Sequence, residues 1–216
     1  LVHDVQARLQ EIEASLPEGM KIVPFYNRGS LVERAVGTVS KALAEAIALV
    51  LVLLLLFLGN LRAALVVALI LPLSALATFV LMRQWGLSAN LMSLGGLAIA
   101  IGMLVDAAVV VVENIVQHLA HDGKDKLPRQ HVVFRAVREV AAPVAAGILI
   151  IAVVFLPLMT LQGLEGKFFV PVAMTIVFAL ASSLILSLTV IPVLSSFLFK
   201  KVQHDDPWLP RQALRL

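Results

Sequence analysis

The sequence predicts an all-α polytopic membrane protein of five transmembrane helices, preceded by a short α+β segment. Three observations carry this prediction. Hydrophobic residues make up 60% of the chain and charged residues 14%, whereas a soluble domain is about half apolar and a quarter charged. That leaves too little polar surface to cover a water-facing core. The apolar residues fall into five long stretches. The polar connections between those stretches carry a lopsided distribution of positive charge.

The first element is water-facing. Val2, Val5, Leu9, Ile12 and Leu16 recur at helical spacing with charges between them, the pattern of an amphipathic helix. Pro17 and Gly19 end it. Lys21 to Tyr26 reads as a short strand, which Pro24 confines to a sheet edge. Ser30 with Glu33 three residues on is a capping box ahead of an apolar run, so a helix is expected to begin near Leu31 and to run on into the membrane.

The five apolar stretches are Leu43–Leu58, Ala63–Met82, Leu91–Val112, Val140–Leu161 and Phe169–Phe199. Each is near the ~17–25 residues that cross ~30 Å of hydrocarbon. Glu45 falls near the outer end of the first. Pro72, Pro157 and Pro192 lie inside spans, where neighbouring helices can satisfy the carbonyls that proline frees.

The connections predict orientation. Arg62, Lys124, Lys126, Arg129, Arg135, Arg138, Lys200 and Lys201 follow spans one, three and five, while only Arg83 and Lys167 follow spans two and four. By the positive-inside rule the eight-residue set is cytoplasmic. The N-terminal segment is then outside and the tail inside. The tail, with Trp208 among basic and apolar residues, is expected along the inner membrane surface. The chain begins at Leu1 rather than Met and has no apolar signal core, so it is expected to be a piece of a longer polypeptide.

Several functions are excluded. The chain has no cysteine, hence neither disulfides nor thiolate metal sites. No basic run with interleaved aromatics points to nucleic acid. No nucleophile elbow, phosphate-binding loop or HExxH helix is present, and no cofactor is expected. His118 and His121 are three apart but are read as lying in a polar cytoplasmic loop.

Asp106 stands out. It lies inside the third span, where an ionised carboxylate at mid-membrane costs about 2.5–3.5 kcal/mol even on the lenient insertion scale. Gly95, Ala98, Gly102 and Asp106 follow one another at i, i+3, i+7 and i+11. Small residues let a neighbouring backbone approach closely, so Gly95, Ala98 and Gly102 form an expected helix-packing face that carries the carboxylate away from lipid. Glu113 lies seven residues further along the same face. Two carboxylates stepping along one face suit a proton or cation path. The plain alternatives are a structural hydrogen bond for Asp106 and a solvated helix end for Glu113. Met92 and Met103 are thioethers that suit soft Cu(I) or Ag(I), or simple packing residues.

The run Gly102-Met-Leu-Val-Asp106-Ala-Ala-Val-Val-Val-Val-Glu113-Asn114, with the Phe57–Leu81 segment before it and Leu161–Leu198 after it, closely resembles the proton-driven resistance–nodulation–division (RND) efflux pumps. The resemblance covers nearly the whole chain and implies spans two to six of twelve. It implies three segments: residues 1–40 as the end of a periplasmic porter domain and helix entry, 41–199 as the transmembrane bundle, and 200–216 as the cytoplasmic or interfacial tail.

The stretch Ser93–Gly102 and the Leu-x-Gly-x-Glu-Gly-Lys segment ending at Lys167 resemble the heavy-metal (Cus/Czc-type) branch. Multidrug relatives usually carry two adjacent aspartates where this chain has Asp106 and Ala107. The resemblance implies a proton-relay role for Asp106 and a lesser one for Glu113, with the relay's partner lysine outside this chain. It also implies a homotrimer in a Gram-negative inner membrane, contacting lipid, with a periplasmic adaptor, an outer-membrane channel and a metal cation as substrate. Divalent-cation pumps usually place Asp-Phe-Gly where this chain has Ala100-Ile101-Gly102. Copper and silver pumps carry further methionines; Met92 matches one, while Leu104, Val111 and Leu180 fall where others would stand. The metal is therefore left open. An exporter of hydrophobic drugs and an inactive truncated fragment are the competing readings.

Overall fold

The computed structural model describes residues 2–13, 15–17, 19–23, 28–58, 60–121 and 128–199. Six helices follow in order: α1 (Val2–Glu13), α2 (Arg28–Leu58), α3 (Leu61–Gln84), α4 (Leu91–His121), α5 (Arg129–Met159) and α6 (Gly163–Leu198). Five of them, α2 to α6, are long and apolar enough to cross a membrane.

No strand occurs among the described residues. Lys21–Val23 have no regular structure, and the rest of the expected Lys21–Tyr26 strand lies outside the described residues. A strand needs a ladder partner, and this stretch finds none here. The amphipathic α1 forms but ends at Glu13, so Leu16, expected on its apolar face, lies beyond the helix. The helix adds nothing to the buried core among the described residues, and Val5 and Ile12 stay exposed.

The spans are longer than their apolar stretches. The helix α2 starts at Arg28, so Ser30 lies inside its first turn rather than capping it, and the helix continues unbroken to Leu58 as expected. Asn60 caps α3, its side chain accepting from the backbone N–H groups of Arg62 and Ala63 at 3.1 and 3.4 Å. The helix α4 runs nine residues past Val112, to His121, and α5 begins eleven residues before Val140. Helical hydrogen bonding does not stop where hydrocarbon stops; the polar turns Glu113–His121 and Arg129–Glu139 simply continue it. The 31 residues of α4 span about 46 Å, well beyond ~30 Å of hydrocarbon.

At the centre, α4 and α6 share the largest interface, with α2, α3 and α5 packed around them. Gly96 meets Val172, and the Ser183 hydroxyl donates to the Leu104 carbonyl at 3.1 Å. Both partners rise in number together, so α4 and α6 run parallel. A Cβ on Gly96 would lie 2.8 Å from the Val172 carbonyl oxygen, a clash with backbone that only glycine avoids. Leu94, Leu97, Ile101, Leu104, Ala108, Val111 and Ile115 fill the buried face of α4, alternating three and four apart as a packed helix seam does. The helix α5 is the contrast: beyond Val137 none of its residues is buried.

Candidate functional site

Asp106 is the middle residue of α4. The extra turns at the His121 end place it nearer the helix centre than its apolar stretch alone implied. Leu104, two residues away, is buried in the α4–α6 seam. Two residues rotate a helix by ~200°, which puts Asp106 on the opposite side, and its side chain is exposed.

The carboxylate lines an open groove of about 190 Å³ between α4 and α5. Met103, Ala107 and Val110 form the α4 wall, Pro143, Val144 and Gly147 part of the α5 wall, and Leu180 of α6 the floor. This lining is apolar, and Asp106 makes no hydrogen bond or ion pair with any described residue.

The small-residue stripe shares this outward face. Gly95 and Gly102 are exposed with no atom near the position of a Cβ, and Ala98 is half-buried. Ala98 packs partly against the buried core, while no described helix comes close to either glycine. The glycine that does allow a close helix approach inside this chain is Gly96, next to Gly95.

Glu113 is exposed, and its Oε1 accepts from Gln117 Nε2 one turn on, at 3.2 Å. Met92 lies in the first turn of α4, where its N–H donates to Asn90 Oδ1 at 3.0 Å. That is fourteen residues, ~21 Å, from Asp106. Leu104, Val111 and Leu180, where the resemblance led further methionines to be expected in copper and silver pumps, are buried core residues. No group of three or more His, Asp or Glu side chains suited to a metal occurs among the described residues.

Two contacts were not anticipated. His118 sits on α4 rather than in a loop, because the helix continues to His121. Its Nε2 is 2.7 Å from Glu139 Oε2 of α5. One turn earlier, Asn114 Nδ2 donates to the Ala136 carbonyl of α5 at 2.8 Å. The signal for the longer helix was present: Ile115 and Leu119 continue the apolar spacing of α4 past Glu113.

The site is thus a bundle of five membrane-length helices with a carboxylate at the middle of α4, and an ionisable group on such a helix marks a functional site by default. The comparisons are specific. The AcrB/AcrD/AcrF family model matches residues 1–213, and the chain belongs to that family. It is 47% identical over 98% of its length to the cobalt-zinc-cadmium resistance protein CzcA of Cupriavidus metallidurans. It is 43% identical over 90% of its length to the nickel-cobalt-cadmium resistance protein NccA of Alcaligenes xylosoxydans xylosoxydans. With the cation efflux system protein CusA of Escherichia coli it shares 40% identity over 89% of its length. It superposes on the crystal structure of a heavy metal efflux pump with a TM-score of 0.70, at 40% identity, over 87% of this chain and 18% of that one. The chain spans about a fifth of the curated relatives' length, 20% of CzcA, 18% of NccA and 19% of CusA. The resemblance read from the Asp106 motif to heavy-metal RND pumps is therefore correct.

Proposed function

We propose that this chain is the proton-coupling membrane part of an exporter of heavy-metal cations, and that Asp106 is the carboxylate that binds and releases the proton. The observation that carries this reading is the position of Asp106: mid-helix, on an outward apolar groove, in a chain 40–47% identical to metal-resistance and cation-efflux proteins. A carboxylate there is costly when charged and unpaired. Its charge state therefore biases how the surrounding helices pack, and loading it from one side and emptying it to the other makes a transport cycle.

The energy is adequate. One proton moving down 100 mV releases about 2.3 kcal/mol, worth about fifty-fold in a concentration ratio, since 1.4 kcal/mol is tenfold. In this reading Glu113 serves the proton path near the His121 end of α4. The Gly95–Ala98–Gly102 face packs against helices supplied by the rest of the pump, which also supplies the counter-charge for Asp106. Residues 1–40 are the end of the periplasmic porter domain, 41–199 the transmembrane bundle and 200–216 the inner-face tail, in an inner membrane. A homotrimer with a periplasmic adaptor and an outer-membrane channel completes the path for the metal.

The test is metal tolerance in a pump-deleted Gram-negative host carrying the full-length gene, challenged with cobalt, zinc, cadmium, nickel, copper, silver and dyes. Tolerance to one metal group, lost in an equally expressed Asp106→Asn variant, is the expected result. Tolerance to dyes alone would move the protein to drug export. Undiminished metal tolerance in the variant would remove Asp106 from the mechanism.

A further inference from the structure

The helices α4 and α5 relate to each other in two ways along their length. At the His121 end of α4 they are tied twice, one turn apart, by Asn114 Nδ2 on the Ala136 carbonyl at 2.8 Å and by His118 Nε2 on Glu139 Oε2 at 2.7 Å. The His118 side chain is 23% exposed, and Glu139 reaches it from a more open position. At the level of Asp106 the same two helices stand apart, leaving the groove of about 190 Å³.

The boundary between the tied and the open stretch falls at Pro143. Proline has no N–H, so the carbonyl four residues earlier loses its helical donor. That carbonyl belongs to Glu139, the residue that ties α5 to His118. Sharp bends in helices concentrate at prolines. The segment beyond it, from Val144 to Ile151 with Gly147 inside, forms the α5 side of the groove and has no buried residue. A tie, a proline inside the continuous helix and an open wall thus follow one another along α5 from Ala136 to Ile151, the wall facing Asp106.

We propose that the Asn114–Ala136 and His118–Glu139 ties act as a pivot, fixing α5 to the Asp106 helix so that the α5 segment beyond Pro143 closes over or opens from Asp106 as a lever. His118 and Glu139 are positioning residues: they do not carry the proton but set where the groove wall sits when Asp106 changes charge. The inference rests on Asp106 being the coupling carboxylate.

The experiment uses the full-length pump, its native cysteines replaced, in proteoliposomes. Spin labels are placed through Ile99→Cys on α4 and Val154→Cys on α5, both exposed and both on the far side of Pro143. The expected result is an α4–α5 distance that shifts between Asp106 and Asp106→Asn. Glu139→Gln should abolish the shift, and His118→Arg, which keeps a hydrogen-bond donor on the carboxylate, should retain it. In parallel, metal turnover should fall about tenfold in Glu139→Gln with KM unchanged, a coupling within the range of contacting pairs, and His118→Glu combined with Glu139→Arg should restore it. If Glu139→Gln does not accumulate, His118→Gln breaks the same tie from the other helix. A distance that never shifts, a shift that survives loss of the tie, or a loss of turnover that the swapped pair does not restore would each overturn the pivot. Loss of export in Asp106→Asn alongside any of these would leave the proton-coupling role standing; normal export in Asp106→Asn would remove that role itself.

Discussion

The two faces of α4 solve opposite problems. One buries Leu94, Leu97, Ile101 and Leu104 against its neighbours, with Gly96 allowing the Val172 backbone to come close. The other presents Gly95, Ala98, Gly102 and Asp106, and no described helix touches its two glycines. The inward face holds the bundle of this chain together by shape. The outward face carries Asp106 at the middle of the helix and leaves both glycines open among the described residues. Fold and proposed function thus occupy the same helix about half a turn apart, so one can be perturbed without the other.

Substitutions on the two faces sharpen that contrast. Leu104→Ala empties a fully packed position and should cost about 2–5 kcal/mol, read as a lower unfolding midpoint of the purified pump in mixed detergent. Gly96→Ala forces a methyl group against the Val172 carbonyl and should cost about 1–3 kcal/mol by the same measurement. Gly102→Ala places its methyl group within 4 Å of no neighbouring element among the described residues. In residues 1–216 alone it should shift stability by less than about 0.5 kcal/mol, while in the full pump it should slow export. A Gly102→Ala variant that destabilises the isolated chain as much as Gly96→Ala would erase the distinction between the faces.

The sequence made some of this legible and concealed the rest, for physical reasons. The five membrane-length helices and the choice of Asp106 as a candidate follow from hydropathy and the cost of charge in lipid, both local properties. Helix ends did not follow, because the turns Glu113–His121 and Arg129–Glu139 are polar yet remain helical. That misreading placed His118 in a loop and hid its contact with Glu139, which depends on two helices meeting. The short strand near Lys21 was read from composition, but a strand forms only with a partner. The stripe of small residues was visible as a stripe. Which of two adjacent glycines meets a neighbour inside this chain was not, since Gly95 and Gly96 differ only in the direction they face.

In the proposed cycle, proton movement through Asp106 drives metal export. The most direct test is proton flux in proteoliposomes of the full-length pump, with a pH-sensitive dye inside and the cognate metal supplied as cargo. The expected result is a metal-dependent pH change that the Asp106→Asn variant lacks although it assembles normally. A metal-dependent proton flux of the same size in that variant would contradict it.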